Sequence, residues 1–397
     1  MLQLITMLYT LAQFGTDWVS LVLWFIIAII FFVFGQRIMT TQIILKIEKE
    51  VLELEEMAEK SRDYVIKSVN KKPTPKLKGS VRNFMEFFVV GPVSIDPYGI
   101  IKKLDHVIRG SDEKFKYFVN QIAPNFSKEE KKNIRNALEG AITTHQIAKI
   151  IRHYLELIKK YKMFQLAMII QMQIPMISEI AKAAMKATRA FTEGVPIGDG
   201  IGPLVAANIM KKDKLQVYEE DEFAIAKTSL NGKEVWVSKA AGPGASTGYP
   251  GKFLIKFFKK QKIDRIITID AALRLEGEKT GTLAEGVGIA MGGSGVDRYE
   301  IEEIAVKRNI PLDAVAIKVS QEEALMPMKK EIFEAVPQAI ENIKDILKRS
   351  KRKERVLIMG VGNTCGIGNS TKEIEGLEKK LKAHREKTEE KKKSMFK

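Results

Sequence analysis

Residues Trp18–Gly35, WVSLVLWFIIAIIFFVFG, carry no charged side chain. A helix this apolar all round belongs either in a protein core or in a lipid bilayer. With Phe14 and the apolar residues of the preceding turn, the run reaches the ~20 residues that cross a hydrocarbon layer. No Lys or Arg precedes it, so the positive leader of a secretory signal is missing, and FFVFGQR offers no small-residue cleavage site. It therefore reads as a retained transmembrane helix. Only Asp17 precedes it, while Arg37, Lys46 and Lys49 follow. That bias sets the N-terminus outside the cell membrane and everything after residue 36 in the cytoplasm, on a single pass.

Thr41–Val69 has Ile43, Ile47, Val51, Leu54, Met57 and Ala58 at three- and four-residue spacing, the pattern of an amphipathic helix. Lys71–Gly79, KKPTPKLKG, reads as an extended linker close to a membrane surface, so residues 37–79 form a juxtamembrane segment. Residues 80–194 are nearly all helical in pattern, an all-α middle domain and a candidate surface for a protein partner. Ser127 and Glu130 form a capping box, and GSDEKF offers another helix start at Ser111 or Asp112. His145 and His153 share a face, but no carboxylate pair completes a metal shell. Met163–Met185 contains Pro175, Gln165, Gln171, Gln173 and Glu179. It is too polar to be preferred as a second span and fits a core helix or an adaptable groove. The net charge of +16 calls for an anionic partner. An anionic membrane surface fits better than nucleic acid, because no basic stretch is interleaved with aromatics. The single cysteine, Cys365, excludes an internal disulfide framework.

From Val195 the pattern becomes strand alternating with helix, which predicts an α/β domain over residues 195–371 with a mostly parallel sheet. Residues 372–397 form a charged tail. Strands are expected at Glu222–Lys227 and Glu234–Lys239, joined through Asn231-Gly232, and at Asp264–Asp270, Ala284–Met291, Ala314–Val319 and Arg355–Met359. Helices are expected at Gly202–Met210, Lys252–Lys260, Tyr299–Asn309 and Met328–Arg349.

Two acids stand out. Asp199 lies in VPIGDGIGPLVAA, a glycine-rich loop entering a helix, and Asp270 closes the strand IITID. Strand ends gather on one edge of a parallel sheet, so both can face one crevice as an acid/base pair or as metal ligands. The plainer reading is that Asp199 caps its helix and Asp270 bonds its own loop. Three glycine loops can supply backbone N–H groups to a small anionic ligand. Their candidate ligand-binding residues are Gly198, Gly200 and Gly202; Gly242, Gly244, Ser246 and Thr247; and Gly360, Gly362, Asn363 and Cys365, with Ser294 from GGSG. AGPGASTGYPG is not a Walker loop, since Phe253 follows Lys252 where Ser or Thr is required. GVGNTCGIGN lacks the third glycine of a dinucleotide fingerprint. Cys365 is a possible nucleophile only if a histidine stands beside it.

GDGIGPLVA resembles the GDDG-x-GP-x-VA signature of the hydrogenase maturation endopeptidases. DRIITIDAALRLEGEKTGT resembles that family's strand, second acid and GEPGT loop, and Pro327–Leu347 its final helix. The family opens with a strand and a GVGN turn, which here stand at the far end of the domain as RVLIMGVGN. The resemblance thus implies a maturation-peptidase/phosphorylase-like fold that is circularly permuted. It also implies that Asp199 and Asp270 match the two carboxylates that read nickel in that family. The histidine of that site has no counterpart; Gly292-Gly293-Ser294-Gly295 stands in its place. A carboxylate-only site leans to a divalent cation such as Mg²⁺, Mn²⁺ or Ca²⁺. The whole chain resembles an uncharacterised archaeal membrane-anchored family. Three functions follow as expectations: a divergent peptidase or other hydrolase at the membrane face, a small-ligand or nucleotide-binding module, and a non-catalytic scaffold of a membrane complex.

Overall fold

The computed structural model describes residues 18–89, 99–293, 295–351 and 353–395. Phe14, Asp17, most of the Gly91–Gly99 break and Ser294 lie outside the described residues. The chain divides into two compact units, each discontinuous in sequence: residues 1–56 with 147–178, and residues 57–146 with 179–397.

The first unit is helical. It contains the start of α1 (Trp18–Val69), the end of α4 (Lys128–Tyr161) and the start of α5 (Phe164–Glu193). α1 runs on through Gly35, whose cost of about 1 kcal/mol in a helix is small beside the hydrogen bonds of a 52-residue helix. Ile43, Ile47, Val51 and Leu54 are buried, as the spacing predicts. Arg152 pairs with Glu55 at 2.7 Å and Lys159 with Glu48 at 2.7 Å, so α4 runs antiparallel to α1. Between residues 20 and 30 the large apolar side chains, Leu21, Phe25 and Ile29 among them, are exposed. Ser20–Ile30 is a short apolar helical stretch among the described residues. The one described helix both long and apolar enough to cross a membrane is α5, in the middle of the chain.

The second unit holds α2 (Pro75–Val89), α3 (Ile100–Ile122) and a seven-stranded sheet. The expected linker is shorter than KKPTPKLKG: Pro75 opens α2, and the Thr74 hydroxyl accepts the Leu77 N–H at 3.2 Å. α3 runs unbroken through Ser111 and Asp112, whereas the Ser127–Glu130 capping box forms with both its hydrogen bonds.

The strands are β1 (Leu215–Tyr218), β2 (Phe223–Leu230), β3 (Lys233–Ala240), β4 (Arg265–Leu273), β5 (Leu283–Val287), β6 (Leu312–Val319) and β7 (Val356–Gly360). Their order is β1-β2-β3-β7-β4-β6-β5. The sheet is mixed rather than mostly parallel: β3–β7, β7–β4 and β4–β6 are parallel, and the three outer pairings are antiparallel. The β2–β3 hairpin turns at Asn231 and Gly232, both at positive φ as a two-residue turn of this twist requires. The expected strand Ala284–Met291 shrinks to β5, an edge strand. β7 is central, with Leu357 opposite Trp236 of β3 and Ile266 of β4.

Side chains alternate across the sheet with period two, and helices cover both faces. Val235, Val237, Ile267, Ile269, Val356 and Ile358 share a core with Leu204 and Val205 of α6 (Ile201–Ile209). Ile343 and Leu347 of α11 (Val336–Arg349) join them. On the other face Phe223, Ile225, Ile266, Leu357 and Met359 meet Phe253 and Phe257 of α7 (Pro250–Lys260) and Ile301 of α8 (Val296–Arg308). Between β6 and α11 come two short helices, α9 (Gln321–Leu325) and α10 (Lys330–Glu334). The expected Met328–Arg349 helix breaks at Ala335, where Pro337 sits in the first turn of α11. The last helix is α12 (Leu377–Met395).

Candidate functional site

Asp199 stands in a single 3₁₀ turn, Gly198–Gly200, that feeds directly into α6. Asp270 lies inside β4, three residues before the strand ends, not at its close. Both line one cleft of about 710 Å³ at the carboxyl edge of β7 and β4. This is where a ligand sits in open α/β sheets. The cleft is also lined by Val361 and Gly362 after β7, Ser246 to Tyr249 before α7 and Pro250 at its start, Gly292 and Gly293, and one side of α3.

Each acid is held by backbone. The Asn363 N–H donates to Asp199 Oδ2 at 2.8 Å. The Ala271 N–H donates to Asp270 Oδ1 at 2.7 Å and the Gly292 N–H to Oδ2 at 3.1 Å. Burial nevertheless dominates. It raises Asp199 above the ordinary carboxylate range against the Asn363 N–H. Burial, and then the charge of Asp199, push Asp270 well above it. The two acids therefore titrate as a pair, with a proton retained where free carboxylates have lost theirs.

Such a pair makes the fold sensitive to pH. An acid raised in the native state keeps its proton after the unfolded chain has released it. Its contribution to stability is full below the ordinary carboxylate pKa and is lost as pH rises through the native values. Asp199→Asn removes one charge and keeps an oxygen for the Asn363 N–H. Its melting temperature should exceed the parent's near pH 8, by roughly 2–4 °C for each kcal/mol relieved. The gain should vanish near pH 4. Parallel melting curves across that range would show that the pair does not titrate.

Several N–H groups of the glycine loops are already taken by acceptors within the protein. Gly198 donates to Met326 O and Gly200 to Ile197 O. Gly242 donates to Asn369 Oδ1 at 2.8 Å, Ala245 to Asn133 Oδ1 at 2.8 Å, and Gly248 to Ser246 Oγ at 3.0 Å. Gly198, Gly200, Gly202, Gly242, Gly244 and Gly360 are absent from the cleft lining and serve close packing. A Cβ on Gly202 would sit on the carbonyl oxygens of Val361 and Ile269, and one on Gly360 on that of Gly202. Gly362, at φ +127, lets its loop pass against the Asp199 backbone. Ser246 is buried and its hydroxyl donates to Glu222 at 2.6 Å, while Thr247 is exposed at the rim. Asn363 is a positioning residue: besides its N–H on Asp199, its side chain bridges Asn136 and the Cys365 N–H. Cys365 is fully buried, and burial pushes its thiol up to about 12, which disfavours the thiolate that a nucleophile needs.

No group of three or more His, Cys, Asp or Glu among the described residues could hold a metal ion. His145 instead meets Glu86 at 2.9 Å. Two carboxylates already accepting three backbone N–H groups make a poor cation shell.

The sequence concealed the far wall of the cleft. Tyr249, in the turn before α7, donates its hydroxyl to Asp112 on α3. Burial and that acid push the phenol up to about 12. Burial would raise Asp112, but Arg135 at 2.6 Å, Tyr249 and Lys116 outweigh it and hold it below the ordinary range. Lys132 holds Glu222 in the same way, at 2.8 Å. Burial raises Asp297 on α8, opposed by the Gly251 N–H. Seven carboxylates line the cleft: Asp199, Asp270, Asp105, Asp112, Glu139, Glu222 and Asp297. The guanidiniums of Arg109 and Arg135 are the only basic groups lining it among the described residues. Three of these carboxylates are paired, Asp105 with Arg109, Asp112 with Arg135 and Glu222 with Lys132, and burial raises the other four, Asp199, Asp270, Asp297 and Glu139.

Two family models match. "Protein of unknown function (DUF1512) N-terminal domain" covers residues 21–194, and "Domain of unknown function (DUF1512) C-terminal" covers residues 197–368. No curated protein matches the chain.

Proposed function

The chain belongs to the DUF1512 family, both of whose domains it carries in order, and for it we propose a membrane-tethered hydrolase in which Asp199 and Asp270 do the acid–base work. The observation that carries this reading is the meeting of two acids, from separate segments, in one cleft where each is raised and one raises the other. Perturbed carboxylates in a cleft are the usual mark of proton-transfer chemistry. Asp270, the more strongly raised, keeps its proton and gives it to the leaving group. Asp199, half-buried at the cleft wall, takes a proton from the attacking water. The carboxylate-rich lining favours a substrate that is cationic or neutral next to the bond cut.

The likeness to a permuted maturation peptidase supports a hydrolase, with the difference that the matching carboxylates read nickel in that family, and the central position of β7 agrees with such a permutation. The exposed apolar residues of α1 between 21 and 30 support a tether near the N-terminus, with the remainder of the chain on the cytoplasmic face. A non-catalytic scaffold that engages a protein through its helices is the competing reading.

The test uses the full-length chain in detergent with fluorogenic amides and esters carrying Lys, Arg, Ala or Glu beside the scissile bond. Turnover should favour the basic substrates and resist chelation. Asp199→Asn and Asp270→Asn should each lower it by about 10²–10⁴-fold with an unchanged circular dichroism spectrum. Turnover that needs added Mg²⁺ or Mn²⁺ would replace the metal-free reading by the divalent-cation one. Equal activity in the variants, or none on any substrate, would leave the scaffold.

A further inference from the structure

We infer that the first half of α3, residues 100–109, is a hinged wall of the cleft, and that its inner face, Leu104, Val107 and Ile108, binds an uncharged apolar side chain of the substrate. This deepens the reading of the cleft as a substrate site and rests on it. The three residues line the cleft and recur at three- and four-residue spacing. Lys102 and His106, on the opposite face of the helix, are exposed. An apolar stripe on a helix is normally turned to a core. Yet the buried residues of α3 are Phe115, Phe118 and Val119, all in its second half. The stripe of the first half faces the cleft instead, and Val107 is 39 % exposed. Met291 and Val361 bring further apolar surface to the same cleft.

Cavities of about 300–1,000 Å³, mainly apolar with a few placed polar groups, are the usual form of a small-molecule site. This cleft, of about 710 Å³, admits a small molecule or one extended segment of peptide, not a folded partner. On α3 the two cleft carboxylates, Asp105 and Asp112, are already paired with Arg109 and Arg135. A charged side chain laid against this wall loses its water and finds no free counter-charge there. An apolar one gains by leaving water.

Gly110 marks the hinge. It stands inside α3, where glycine weakens a helix relative to alanine. Outside its own stretch of helix no described atom lies within 4 Å of its Cβ position, so packing does not call for glycine here. Past it the helix is fixed. Asp112 meets Arg135 at 2.6 Å and accepts the Tyr249 hydroxyl, and Lys116 stands 3.7 Å from Glu222. Before it, residues 100–109 are all exposed or half-buried, and Arg109 pairs with Asp105 of its own helix and lies 5.5 Å over the Tyr249 ring. A bend between a fixed part and a lightly packed one is how many enzymes close on a substrate. An apolar side chain in the cleft draws the first half of α3 down on it, covers the stripe and shuts water out from Asp199 and Asp270.

The test uses the full-length chain in dodecyl maltoside, with Ile108→Cys on the inner face or His106→Cys on the outer face, labelled by iodoacetamide. The buried Cys365 does not compete for label. N-acetyl-leucine methylamide should slow labelling at 108 severalfold and leave 106 unchanged. Its glutamate and lysine counterparts should slow neither. With Gly110→Ala added, the concentration of the leucine compound that halves the rate at 108 should rise about fivefold, because alanine favours the straight helix. Equal protection by the charged compounds, or none by the leucine one, overturns the subsite. An unchanged half-protection concentration in Gly110→Ala means a fixed wall and overturns the hinge. Labelling needs no turnover. Protection without hydrolysis of any substrate therefore spares this inference and counts against the hydrolase alone, and hydrolysis without protection does the opposite.

Discussion

A chain ended at Glu354 should show no cooperative unfolding of its sheet. β7 is hydrogen-bonded on both sides, to β3 and to β4, and all five of its residues are buried. Its removal opens two ladders of backbone groups that then have no partner. It also empties the places of Val356 and Ile358 in one core and Leu357 and Met359 in the other. Each such deletion alone costs about 1–5 kcal/mol, and a domain is stable by only about 5–15 kcal/mol. Thermal and urea melts followed by circular dichroism check this. A truncated chain with the parent's midpoint would mean that β7 is an accessory to the sheet.

Gly202→Ala and Gly360→Ala should each destabilise the protein by about 3 kcal/mol or more, without any ligand present. At both positions the added methyl meets backbone oxygen, which cannot turn aside as a side chain does. Gly286→Ala is the contrast. Nothing lies within 4 Å of its Cβ position on the edge strand β5, so the change should be neutral or stabilise by roughly 0.5 kcal/mol. If Gly202→Ala melts with the parent, α6 does not pack against β7 and β4 as closely as described.

These glycines show where the sequence misleads. A glycine needed so that a helix can approach a strand and one needed so that a phosphate can approach a loop look alike in one dimension. The partner decides, and for GDGIG and GVGN each is largely the other's partner. What was legible had a local cause. Asn231-Gly232 between alternating runs gave the hairpin. VLIM after Arg355, apolar throughout, fits a strand buried on both faces. Asp199 and Asp270 were each marked by a junction of strand, loop and helix. Asp112, Tyr249, Arg135 and Asp297 carried no such mark. On α3 and α4, Asp112 and Arg135 sit among many charged residues that face water. Only the fold shows that these two meet each other across a cleft, at 2.6 Å. The turn signal of Tyr249-Pro250 was there to read, but its partner lies 137 residues away.

The place of β7 also fixes an order of events during synthesis. The sheet's middle strand is the last to leave the ribosome, after both of its neighbours. Until then β3 and β4 face each other across a gap one strand wide, their inner edges unpaired. Such edges recruit other strands. Under the tether proposed for α1, a nascent chain would spend that interval beside a membrane, where copies made on one polysome would be held close together. Swapping of β7 between neighbouring chains is the natural error of such a plan. How fast the final segment follows the rest then governs how much protein matures as single molecules.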